Sequence, residues 1–149
     1  MFRRLLRSLL KKALGPLAVG IEHFGSTAVP GLRAKPILDI LVGIPLFEEG
    51  QRCIPLLEAI GYDYAPQAGI PGDYTFGRGI RRTHLVHVVQ IDGPNWILNL
   101  RFRDALRRDP SLAQEYEALK SALARDFGHD RAAYTRGKSD FVRAVMEAV

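Results

Sequence analysis

The chain has a single cysteine and no apolar run of membrane-spanning length. It also has no internal repeat, low-complexity tract or linker. One cysteine, Cys53, rules out an internal disulfide framework and a cysteine-based zinc site, and it fits a reducing, cytoplasmic setting. Cys53 lies in a helically spaced apolar pattern and reads as a small buried residue rather than a nucleophile. Without a 20-residue apolar stretch no transmembrane helix is expected. With no composition break, the 149 residues read as one domain, 1–149, long enough to bury its own core. Of what is present, 47% is hydrophobic and 25% charged, ordinary for a globular domain. The net charge of +5 suits an anionic partner such as a nucleotide or nucleic acid, although surface cations of no functional consequence give the same balance.

Residues 1–14, MFRRLLRSLLKKAL, form an expected amphipathic helix. Phe2, Leu5, Leu6, Leu9 and Leu10 fall at helical spacing, with Arg3, Arg4, Arg7, Lys11 and Lys12 between them. Interleaved cations are unlike a secretory signal, whose charged region precedes its apolar region. Such a helix can lie on a membrane, but the simpler expectation is that its leucine stripe docks on the domain.

Gly15-Pro16 stops this helix, and Val19–Phe24 reads as a strand. Gly25-Ser26-Thr27 turns the chain, Pro30-Gly31 turns it again, and Lys35-Pro36 forces an extended entry into Ile37–Ile44. That second strand is apolar on both faces except at Asp39, the pattern of a central strand. A helix is expected within 47–60, kinked by Pro55 or starting later than Phe47. A short strand at 62–65, a loop at 66–72 and a hairpin of 73–78 with 83–91 follow. Three helices close the chain: one to Arg108, one capped by Ser111 and ended by Gly128, and one from about Arg131. Strands early and helices late predict an α+β or α/β domain.

Asp39 in an otherwise apolar strand needs a reason, because an unpaired buried charge is costly. Gly25 lets backbone approach an anion closely, and Ser26 adds a donor. Twelve residues separate Ser26 from Asp39, so two paired strands can bring turn and carboxylate to one end of a sheet. A phosphate at the turn and a divalent cation at Asp39 would then be neighbours, as phosphoryl transfer requires.

The run IEHFGSTAVPGLRAKPILDILVGI closely resembles the GrpB family signature IEHIGSTSVPGLAAKPIIDI. Downstream, RRTHLVHVV resembles a segment ending in HLHVV, and LRFRDALRRDP resembles the FRDYLR-x-P junction. AQEYEALKSALA resembles the Y-x-x-LK helix, and Tyr134, Lys138 and Phe141 match Y-x-x-x-K-x-x-F. The match covers roughly residues 19–145. The resemblance implies a nucleotidyltransferase-like fold with a mixed central sheet, flanking helices and a C-terminal helical segment. The family carries no settled activity; the turn and Asp39, read on that fold, leave two expectations, a metal-dependent nucleotidyl- or phosphoryl-transferase, or a catalytically degenerate module that binds a nucleotide or another phosphorylated small molecule. Catalytic roles would fall to Ser26, Asp39 and His87. Phosphate binding would fall to Gly25, Ser26, Thr27, Lys35, Arg82, Tyr134 and Lys138, with Mg²⁺ or another divalent cation on Asp39 and Glu22. One departure is plain: where the superfamily carries a second carboxylate, two residues after the first, this chain has Leu41.

The remaining candidates keep two readings. His84 and His87, three apart in a strand, face opposite sides, and His87 is the site candidate. Glu22 and His23 also alternate. Arg33 and Lys35 either hold phosphate or are solvated, and Arg81 and Arg82 close a hairpin. Arg103-Asp104 reads as a structural ion pair. Tyr134 and Lys138 share one helical face, and either reach a ligand or pin the last helix to the sheet.

Overall fold

Strand β2, Leu38–Ile44, is the run of apolar residues interrupted by Asp39, and it is buried from Ile40 onward. The computed structural model describes residues 2–32, 37–66, 71–79 and 83–148. Arg33, Lys35, Arg81 and Arg82 lie outside the described residues. The other strands are β1 Gly20–Phe24, β3 Tyr62–Tyr64, β4 Tyr74–Arg78 and β5 His84–Gln90. They form one mixed sheet in the order β1-β2-β5-β4-β3. Strands β2 and β5 run parallel and the other neighbours antiparallel. The parallel pair requires a long crossover, and the chain supplies it with α2, Gly50–Glu58, and the strands β3 and β4. Helices α1 Phe2–Leu14, α3 Pro94–Arg108, α4 Pro110–Phe127 and α5 Arg131–Ala148 complete the α+β domain.

Side chains alternate across a sheet, so the register assigns each residue a face. One face carries Ile21, Ile40, Val42, Ile44, Phe76, Val86 and Val88, which pack with Leu6, Leu10 and Leu14 of α1 and with Cys53 and Leu57 of α2. Of the expected stripe, Leu6 and Leu10 dock on the domain, whereas Leu5 and Leu9 face outward. Leu10 is fully buried, and Leu10→Ala should lower the unfolding free energy by about 3 kcal/mol, read as a drop in urea midpoint at unchanged slope.

On the other face, Glu22 stands opposite Leu41 and Phe24 opposite Asp39, while Leu41 lies beside His87 and Thr75 pairs with His87. Helix α3 is seated on this face by Trp96. Its ring lies against Gly20 and Gly43, where an added Cβ would come within 2.8 and 3.0 Å of indole carbons. Packing of α4 on α5 then encloses a second core of Val29, Leu106, Ala113 and Tyr116, with Phe102 and Phe141 against it.

Two local expectations change. Asp109, not Ser111, caps α4: its side chain accepts from the Leu112 amide at 3.2 Å, and Pro110 takes the first helical position. Helix α2 does start later than Phe47, after a 3₁₀ turn at Phe47–Glu49, yet Pro55 stays inside it. The Ala59 amide donates to the Pro55 carbonyl at 3.1 Å, so the final turn closes past the proline.

Candidate functional site

The turn after β1 folds back on β2 because Gly25 takes φ 77° and ψ −172°, a region essentially restricted to glycine. There is also no room for a side chain: a Cβ at Gly25 would sit 2.6 Å from Asp39 Oδ2. Backbone and carboxylate thus touch, as the sequence spacing allows. Ser26 opens a single 3₁₀ turn, Ser26–Ala28. Thr27 Oγ1 meets His23 Nε2 at 2.8 Å, tying the turn to the strand before it. Helix α3 holds both flanks: Arg103 donates to the His23 carbonyl at 3.0 Å and Arg107 to the Ala28 carbonyl at 2.8 Å. Arg103 also pairs with its neighbour Asp104 at 2.9 Å; the Asp104 side chain is 45% exposed, so the pair is not buried between helices.

Asp39 is one end of a chain of three charged groups. His87 Nε2 lies 3.5 Å from Asp39 Oδ1, and His87 Nδ1 lies 3.0 Å from Asp73 Oδ2. Asp73 is 3% exposed, and its other oxygen accepts from Thr75 Oγ1 at 3.1 Å. Burial pulls the His87 pKa down, but hydrogen bonds and charge from Asp39 and Asp73 outweigh this and raise it to about 9. At neutral pH His87 is therefore an imidazolium bridging two carboxylates. Phe24 packs edge-on against its ring at 5.2 Å.

Cations reach the turn from the two C-terminal helices. Lys120 of α4 donates to Ser26 Oγ, and its ammonium sits 4.9 Å over the Tyr116 ring. Tyr116 is held by Phe102, edge-on at 5.0 Å, and by Phe141, stacked at 5.5 Å. Burial raises the Tyr116 pKa, and Tyr134 and Asp39 add to the effect. Lys138 of α5 lines a cavity of about 110 Å³ together with Phe24, Gly25, Phe102, Arg103 and Tyr116. The residue is exposed overall; partial desolvation by its surroundings lowers its pKa, opposed by the Asp39 charge. A larger groove of about 450 Å³ beside Arg101, Asp104, Arg108 and Met146 contains none of these groups.

Of the sequence candidates, Gly25, Ser26, Asp39, His87 and Lys138 share this end of the sheet, with Tyr134 next to Tyr116. Thr27 braces the turn. Glu22 occupies the correct face, but its carboxylate lies 3.9 Å from Arg103 and is 44% exposed. The described residues do not fit a two-metal carboxylate centre. Leu41 is fully buried at the second position, and both ring nitrogens of His87 already face carboxylates, Asp39 and Asp73. No cluster of three His, Cys, Asp or Glu suited to a metal occurs among the described residues. Sequence reasoning missed Asp73, Tyr116 and Lys120 as site residues. One signal was available: Tyr-x-x-x-Lys occurs twice, at Tyr116/Lys120 and Tyr134/Lys138, and each pair shares one helical face.

Sheet, turn and converging helices define a class: an α+β domain with a charged cleft at a Gly-Ser turn. The GrpB protein family model matches residues 1–148, and the chain belongs to the GrpB family. It is 35% identical to the glutamate-rich protein GrpB of Alkalihalophilus pseudofirmus, covering 94% of this chain and 84% of that protein. A UPF0157 protein of Pseudomonas aeruginosa is 42% identical over 92% of this chain, which spans 58% of that relative. A Bacillus subtilis UPF0157 protein is 35% identical over 93% of this chain, which spans 40% of that longer relative. The crystal structure of conserved protein GrpB from Enterococcus faecalis aligns with a TM-score of 0.80 at 35% identity, covering 97% of this chain and 88% of that one. No helix among the described residues is long and apolar enough to cross a membrane.

Proposed function

We propose that the protein binds a phosphorylated small molecule, a nucleotide among them, at the Gly25–Ser26 turn of a nucleotidyltransferase-like fold, without needing a metal. The observation that carries this reading is the convergence of Lys120 and Lys138, from separate helices, on the turn that packs against Asp39. A glycine with no Cβ and a hydroxyl donor form a cradle for phosphate oxygens. Ammonium groups, partly withdrawn from bulk water, supply charge at short range. His87, as imidazolium, offsets Asp39, so that the carboxylate does not repel the ligand. The alternative, metal-dependent nucleotidyl or phosphoryl transfer, is favoured by one feature: Asp39 Oδ2 lies against the turn, so Asp39 would hold Mg²⁺, which would supply charge neutralisation to a phosphate.

Calorimetric titration with ADP and with inorganic phosphate, each in EDTA and in Mg²⁺, tests the proposal. Binding should survive EDTA, and Lys138→Ala should weaken it about tenfold, the loss of one charge-assisted hydrogen bond. Binding seen only with Mg²⁺, with turnover, would establish the transferase reading instead.

A further inference from the structure

We infer that the outward face of α1 docks on an anionic bilayer surface. The helix has two strips. Leu6, Leu10 and Leu14 are 5%, 0% and 2% exposed and fasten it to the sheet. Arg4, Leu5, Ser8, Leu9 and Lys12, at the spacing of a single helical face, are all exposed. Leu5 and Leu9 are 62% and 52% exposed, so the outer strip presents two leucines between cations. The charge of the whole protein is concentrated here. Of 21 Lys and Arg, five lie in α1, which has no acidic residue, and the remaining sixteen are balanced by sixteen Asp and Glu. The net charge of +5 is therefore the charge of this one helix.

That asymmetry calls for an anionic surface, and the leucines decide which kind. A nucleic-acid backbone would attract Arg4, Arg7 and Lys12 but give Leu5 and Leu9 nothing. A bilayer offers both: leucines enter the acyl boundary while the flanking cations, on long flexible stems, stay at the phosphates. The site cleft lies on the opposite face of the sheet from α1. A docked protein would keep that cleft open to the solvent.

Co-sedimentation of the full chain with vesicles tests this, using phosphatidylcholine alone and phosphatidylcholine mixed with phosphatidylglycerol. Binding to the mixed vesicles, its loss on pure phosphatidylcholine and its weakening by added salt are expected. The double variant Leu5→Ser/Leu9→Ser should bind mixed vesicles about tenfold more weakly. Its melting temperature should not change, because both side chains are already in water. Absence of binding to mixed vesicles, unchanged binding by the leucine variant, or binding to a DNA oligonucleotide but not to vesicles would each overturn the inference.

Discussion

Replacing Gly25 with alanine should abolish phosphate binding and lower the unfolding free energy by about 3 kcal/mol. Two costs combine. Gly25 has φ 77° and ψ −172°, and an L-residue forced into that region pays about 1–3 kcal/mol. The added methyl would also sit 2.6 Å from Asp39 Oδ2, so the carboxylate must leave its place beside His87. Gly31 provides the control. It also has a positive φ, 78°, but an added Cβ there meets nothing within 4 Å among the described residues. Gly31→Ala should therefore cost about 1 kcal/mol of backbone strain and leave binding intact. Chemical denaturation and calorimetry on both variants separate strain from loss of the turn–carboxylate contact. Equal costs at the two glycines would show that the Asp39 contact contributes nothing.

His87→Gln should lower stability by about 3 kcal/mol near pH 6 and flatten its pH dependence. Removing the imidazolium takes away the cation that lies between Asp39 and Asp73, whose side chain is 3% exposed. A folded pKa of about 9 lies above the ordinary 6.5, so protonation of His87 stabilises the fold. That contribution is complete below about pH 6.5 and is lost as pH rises through 9. Wild-type unfolding free energy should therefore fall between pH 6.5 and pH 9, on the order of 3 kcal/mol, while the variant stays level. A wild-type profile as flat as the variant's would mean that His87 is neutral in the fold.

Much of this was readable from the chain because short-range rules governed it. The Gly25–Ser26 turn, the central strand with its lone Asp39 and the opposite facing of His84 and His87 follow from backbone sterics and two-residue alternation. The helical period gave α1 its leucine stripe but did not separate Leu6 and Leu10, which are buried, from Leu5 and Leu9, which are exposed. Asp73 was not readable, since it lies outside any regular element and meets His87 only through the pairing of β4 with β5. Lys120 reaches Ser26 across 94 residues, through a helix packing that periodicity does not specify. Pro55 within α2 and Asp109 as the cap of α4 are local, but each required choosing between two acceptable boundaries. The signature stretch holds both Gly25–Ser26 and Asp39, which the fold brings into contact, and Leu41 breaks the two-carboxylate pattern within the same strand.

The most direct measurement is a backbone amide NMR titration with inorganic pyrophosphate in EDTA. The amides of Gly25, Ser26 and Thr27 should shift together and saturably, and Lys138→Ala should need about tenfold more pyrophosphate for the same shifts. Shifts that appear only after Mg²⁺ is added, or that map elsewhere than the turn, would contradict a metal-independent phosphate cradle at Gly25–Ser26.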